Sequence, residues 1–245
     1  MKDALQSTHR IVEIDCARTL ALAGMVMFHF AYDLVMFGLA PPELVTQGYF
    51  FYHARAVAGS FLFLAGFGLA LAHRTHIRWP AFWRRWIKIA GAAALVTLGT
   101  KLAMPEYYVF FGILHAIALF SILGLGFLGI PSVLTATIGA ALIFGSYALR
   151  STMFDAWWLT IVGLSTYRPQ TVDFEPIFPW LGPFLIGLAC AKLALRFGFV
   201  QNRERQAPSQ LMQSLSWPGR HSLVIYLVHQ PILMALVWVY ANLLR

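Results

Sequence analysis

The chain has 245 residues, 59% of them hydrophobic and 11% charged. A soluble domain carries about 25% charged residues, so the composition excludes an ordinary soluble enzyme and points to a polytopic membrane protein. The net charge of +8 is no nucleic-acid signature, because the basic residues fall between apolar stretches instead of forming one block.

Read from the N-terminus, MKDALQSTHRIVEID mixes charges and has no small-residue cleavage site, so the first apolar stretch is expected to be retained. Seven apolar segments of roughly 20 residues stand out. They run over 17–39, 49–72, 85–104, 108–128, 132–149, 177–197 and 221–243. The expectation is an all-α membrane bundle of about seven transmembrane helices, with residues 1–245 forming one domain. The stretch 157–164 is apolar but too short to cross, and is expected to lie in the interface or re-enter. With the N-terminus in the cytoplasm, 13 of the 18 basic residues fall on the inner side, as the positive-inside rule requires. The 150–176 segment is then extracytoplasmic. Cys16 and Cys190 are far apart, and nothing in their spacing suggests a disulfide or a metal site.

The first segment holds the most informative residues. His29 and Asp33 stand at i and i+4, about 40° apart on one helix face. Asp15 and Arg18 extend the same stripe to its start, with His29 about 16 Å further along. Ionisable groups at membrane depth are costly, and mark function by default. A carboxylate beside an imidazole suits proton transfer: it orients the ring and stabilises the imidazolium. His29 is then a general base or a covalent acyl carrier. The pair alone also fits a proton pump, or a buried hydrogen bond that only fixes packing. Asp15 and Arg18 fit an ordinary snorkelling helix end equally well.

Further along, Arg55 enters the second segment from its outer side, with His53 near the edge and a second catalytic candidate. Gly59, Gly66 and Gly68 suit close helix packing. The loop AHRTHIRWPAFWRRWIK, residues 72–88, carries Arg74, Arg84 and Arg85 among tryptophans. It reads either as positive-inside topology with an aromatic belt or as a phosphate-binding surface for a coenzyme A thioester. His115 lies two turns into the fourth segment. Asp173 and Glu175 sit in the Pro-rich outer segment before the sixth, where they form the lip of an acceptor site or simply a polar loop. His229 and Gln230 interrupt the last segment just before Pro231, which frees a backbone carbonyl. Ser222, Tyr226 and His229 share one face of that helix.

Several blocks resemble the bacterial inner-membrane proteins related to the catalytic domain of heparan-α-glucosaminide N-acetyltransferase. They are RIVEIDCARTLALAGMVMFHFAYDL, RAVAGSFLFLAGFGLAL, FGILHAIAL, FPWLGPFLIGL and GRHSLVIYLVHQP. The opening also resembles the wider transmembrane acyltransferase superfamily, in which an R-x-x-x-[IL]-D-x-x-R-like start leads to a histidine. The resemblance implies acetyl transfer from cytoplasmic acetyl-CoA to an extracytoplasmic sugar hydroxyl or amine, in the inner membrane and without a metal. It makes His29 the first catalytic candidate, with Asp33, Arg55 and His115 beside it. Arg10, Asp15 and Arg18 match the opening motif and, with Arg74, Arg84 and Arg85, are expected to hold the donor. His53, Asp173, Glu175 and His229 are expected on the acceptor side. The implied partners are the lipid bilayer, an acyl-CoA and a glycan, with no nucleic acid; a homo-oligomer is compatible. The rival readings are a proton-coupled transporter and a non-catalytic membrane scaffold.

Overall fold

The computed structural model describes residues 11–204 and 206–244. Ten α-helices occur among them: α1 (Val12–Met36), α2 (Glu43–Thr46), α3 (Gly48–Ala72), α4 (Trp79–Ala103), α5 (Ile113–Phe127), α6 (Ser132–Ala148), α7 (Ile177–Arg196), α8 (Phe199–Glu204), α9 (Gln210–Arg220) and α10 (Ser222–Val239). No strand occurs among the described residues. Five helices are long and apolar enough to cross a membrane: α1, α3, α4, α7 and α10 with its continuation to Leu243. The remaining two apolar segments fold as shorter helices, α5 with 15 residues and α6 with 17. The stretch 157–164 is not a helix of either kind. It contains a single 3-10 turn, Thr160–Val162, with Trp157 and Trp158 exposed beside it.

The first span starts at Val12, not at 17, and two further boundaries differ from the apolar pattern for local reasons. The third span starts at Trp79, not at 85, because Pro80 suits a first turn that needs no N–H donor. Arg84 and Arg85 are therefore on a helix and not in a loop. The fourth starts at Ile113, not at 108. Residues 107–113 are held by backbone pairing with 171–175 instead: Val172 N–H donates to the Tyr107 carbonyl at 3.1 Å and Glu175 N–H to that of Phe111 at 3.0 Å.

Connections that range from the 73–78 turn to the 149–176 segment reverse the chain between the long helices. One end of the bundle gathers Asp15, the 73–78 turn, α8 and α9. The other gathers the end of α1, α2 and the 149–176 segment. They are called here the Asp15 end and the Asp173 end. At the Asp15 end, His73 closes the turn by accepting the Arg78 N–H at Nδ1, 3.1 Å away. Ser209 caps α9 by accepting from Met212 N–H. That helix packs on α1 through Thr19, whose hydroxyl donates to the Leu215 carbonyl at 2.7 Å and accepts from Gly219 N–H at 2.9 Å.

The apolar core lies where α3, α5 and α7 meet, around the fully buried Leu62, Leu69, Phe120, Phe184, Leu185 and Leu188. Lipid is as apolar as leucine, so helices in a membrane associate through close packing and not through hydrophobic exclusion. The crossing of α3 and α7 shows that device. A Cβ on Gly66 would collide with the Phe184 carbonyl, and one on Gly187 with the Phe63 carbonyl. Each glycine admits the other helix's backbone.

Candidate active site

A chamber of about 1050 Å³ occupies the half of the bundle towards the Asp173 end. Helices α1, α3, α4 and α10 wall it, and the segment before α7 closes one side. Its mouth carries Arg150, Tyr167 and Arg168, and its deepest lining side chains include Met25, Phe61, Val96 and Tyr226. Leu22, Leu62, Ile89 and Ala93, further towards the Asp15 end on α1, α3 and α4, are buried and do not line it. No residue from the Asp15 end lines the chamber among the described residues.

His29 lines this chamber, and so does His229 from α10. The two rings meet edge to face with centroids 4.9 Å apart. His29 Nδ1 and His229 Nε2 are both buried with no hydrogen-bond partner among the described residues. The spacing of His29 and Asp33 suggested that the carboxylate orients the imidazole. Instead, fully buried Asp33 accepts from the Gln230 amide at 2.7 Å. No hydrogen bond joins it to His29 among the described residues. Residues at i and i+4 are within reach of one another on a helix; here the Gln230 amide, arriving from α10, takes the Asp33 oxygen, and the His29 ring packs against His229. Asp33 Oδ2 and Gln230 Oε1 remain buried and unpartnered. The inner part of the site therefore holds buried polar atoms that lack a partner among the described residues.

Two other histidines are committed to the fold. His53 Nε2 donates to the Gly24 carbonyl at 2.9 Å, across the α1–α3 contact, and Tyr49 stacks on its ring. His115 Nδ1 accepts the Gly112 N–H at 3.2 Å. Its Nε2 therefore carries the hydrogen and faces Thr97 Oγ1 at 3.1 Å, a hydroxyl that itself donates to the Val109 carbonyl at 2.7 Å. Both nitrogens of His115 are occupied. Neither His53 nor His115 is among the side chains that line the chamber. The expected catalytic and acceptor-side places for them are not where the structure puts them.

Arg55, Asp173 and Glu175 line the same chamber near its mouth. Arg55 lies over the Phe51 ring, 3.5 Å from its centroid, and donates to the Phe51 carbonyl at 2.9 Å. Asp173 Oδ2 accepts the Ile113 N–H at 2.9 Å and so caps α5 from a distant part of the chain. The carboxylate sits where a side chain on Gly112 would be, which is why a glycine precedes α5. Burial raises the Asp173 carboxyl above the usual range, against the Ile113 bond and the Arg168 charge. Burial raises Glu175 further, and Asp173 adds to it, while Arg168 and Arg55 pull the other way. Glu175 Oε2 is buried and has no partner among the described residues.

The Asp15 end carries the cations. Arg18 Nη1 lies 2.9 Å from Asp15 Oδ1, and Arg220 Nε lies 3.8 Å from Oδ2. Asp15 is buried there beneath them. Arg85 of α4 stands within electrostatic reach of Arg18. Arg84 borders a shallow recess of about 430 Å³ with His76 and Arg78. Arg74 is paired with Glu204 at 3.1 Å, and Arg203 with Glu13 at 3.4 Å. Arg10 lies outside the described residues. The participants that sequence reasoning missed are Gln230 as the partner of Asp33, and Arg168 at the mouth. Gln230 carried a visible signal, a polar residue beside a proline in an apolar helix; Arg168 carried none.

The family model described as "Heparan-alpha-glucosaminide N-acetyltransferase, catalytic" matches residues 10–231. No curated protein and no solved structure matches the chain significantly.

Proposed function

The chain belongs to the heparan-alpha-glucosaminide N-acetyltransferase catalytic family, and from that premise we propose that it moves an acetyl group from cytoplasmic acetyl-CoA to a hydroxyl or amine of an extracytoplasmic glycan. It does so in the bacterial inner membrane, crossing it seven times with the Asp15 end inside. The short α5 and α6 complete the seven passes next to the longer helices.

The observation that carries this reading is the chamber itself. It brings two imidazoles together with buried polar atoms, unpartnered among the described residues, on His29, Asp33, Glu175, His229 and Gln230. Buried polar groups of this kind require partners. A sugar supplies them, because each of its hydroxyl or amine groups donates. Arg55, Asp173 and Glu175 receive the glycan at the mouth, and His29 faces the acyl group. At the opposite end, Arg18, Arg84 and Arg85 hold the phosphates of the donor, a task for which the guanidinium fork is suited. The thioester reaches His29 from that end through the interior of the bundle. His53 and His115 hold the helices around the chamber in place, and Asp33 acts through Gln230.

In the reaction the acceptor nitrogen or oxygen bonds to the thioester carbonyl carbon. The C–S bond breaks, its electron pair leaves on sulfur, and the acceptor's proton ends on the thiolate as CoA–SH.

A chamber that no described residue of the Asp15 end lines also suits an alternating-access carrier, so the test separates the two. Purified protein in vesicles is given acetyl-CoA on the Asp15 side and glucosamine-type acceptors on the other. Free thiol is followed with time. Acceptor-dependent thiol release that disappears in His29→Ala is the expected result. Proton flux without thiol release would make the carrier the right reading.

A further inference from the structure

His29 and His229 both border the chamber, but their ring nitrogens are in different situations. His229 Nδ1 lies 2.7 Å from the Tyr226 carbonyl oxygen. A carbonyl only accepts, so Nδ1 carries the hydrogen and donates it. In the neutral ring the lone pair then sits on Nε2. That nitrogen is buried, has no partner among the described residues, and belongs to a side chain that lines the chamber. The anchor is local: Tyr226 is three residues earlier on the same helix, so α10 itself fixes the ring. No such bond sets the tautomer of His29 among the described residues.

We propose that His229 is a second catalytic residue, whose Nε2 takes the proton from the attacking hydroxyl or amine while His29 faces the acyl group. The inference rests on the acyltransferase reading above. As the acceptor atom bonds to the thioester carbon, its proton moves to Nε2. As the C–S bond breaks, the imidazolium returns that proton to the sulfur, and the ring ends neutral. A preset tautomer means that no proton exchange must precede the step. The titratable and charged groups around the site are His29, Tyr32 and Asp33 on α1, Arg55 on α3, Tyr147 on α6, Arg150, Tyr167, Arg168, Asp173 and Glu175 between α6 and α7, and Tyr226 on α10 itself. The α4 wall contributes Leu95, Val96, Gly99 and Thr100 and no charge.

The decisive variant is His229→Gln. Its amide still donates to the Tyr226 carbonyl but offers no basic nitrogen. Turnover per folded protein is expected to fall about 10²- to 10⁴-fold. The loss falls on kcat, KM for acetyl-CoA stays near that of the parent, and the rise of kcat with pH flattens. Nitrogen-15 spectra of the histidine-labelled wild type are expected to show His229 with Nδ1 protonated and Nε2 bare. An Nε2–H signal from His229 would overturn the proposal even if every variant misfolds. So would near-normal turnover in His229→Gln while His29→Ala is dead, and that outcome leaves the acyltransferase reading standing. Wild-type protein that releases no thiol with any glycan acceptor overturns both.

Discussion

The link between Asp33 and Gln230 is the most exposed part of the structural account. Asp33 is fully buried, one of its oxygens takes the Gln230 amide at 2.7 Å, and the other has no partner among the described residues. Replacing Asp33 by alanine strands the Gln230 side chain, whose Oε1 is already unpartnered. Loss of a hydrogen bond to a charged group costs about 1.5–3 kcal/mol, and a stranded buried amide about 1–3 kcal/mol. Removing a buried carboxylate relieves a desolvation penalty of several kcal/mol. The terms oppose each other, so the single substitution does not test the bond. A double-mutant cycle does, because the desolvation term cancels in the coupling. Asp33→Ala, Gln230→Ala and the pair together, unfolded by denaturant titration in detergent micelles, are expected to couple by about 1.5–3 kcal/mol. Coupling below about 0.5 kcal/mol, the scatter of independent sites, would refute the bond. A parallel cycle with His29→Ala is expected to give much weaker coupling. A value as large as that with Gln230 would restore the direct pairing that the i, i+4 spacing suggested.

His115→Ala removes two hydrogen bonds at the start of α5, and each buried partner left unsatisfied costs about 1–3 kcal/mol. Melting temperature should fall while thiol release per folded protein is retained; a stable but inactive variant would give His115 a chemical role. Gly187→Ala drives a methyl group into the α3 backbone and should destabilise the bundle by about 1–3 kcal/mol, measured by the same unfolding titration; an unchanged midpoint would contradict the close crossing. The raised carboxyls of Asp173 and Glu175 predict a pH dependence with a definite sign. The folded state holds these protons more tightly than the unfolded state. Their contribution is complete below the unfolded carboxyl value of about 4. It is lost as pH rises through the folded values. Melting against pH should show that decline, and Glu175→Gln should flatten it; stability that rises over this range in wild type but not in the variant would reverse the assignment.

Much of the architecture was legible because membrane helices obey a length rule and an apolarity rule that a single sequence satisfies or fails. The spans around His29, Arg55 and His229 fall where hydropathy puts them. The inward stripe of α1 was also legible, since Asp15 and Asp33 are both buried and burying charge is too costly to be random. The partners were not legible. His115 looks like a chamber residue by depth, yet two short bonds consume its nitrogens. Asp173 looks like a loop carboxylate, yet it caps a helix that begins 60 residues earlier.

The sequence by itself determined the solvent of this protein, the positions of its apolar helices and the family to which it belongs, because composition, periodicity and motif are properties of contiguous residues. Only the tertiary structure decided who touches whom. Asp33 chooses Gln230 over His29, 197 residues away instead of four, and His229 arrives beside His29 from the last helix. Such choices depend on how helices cross, and at the α3–α7 crossing that approach is set by glycines that admit the other backbone.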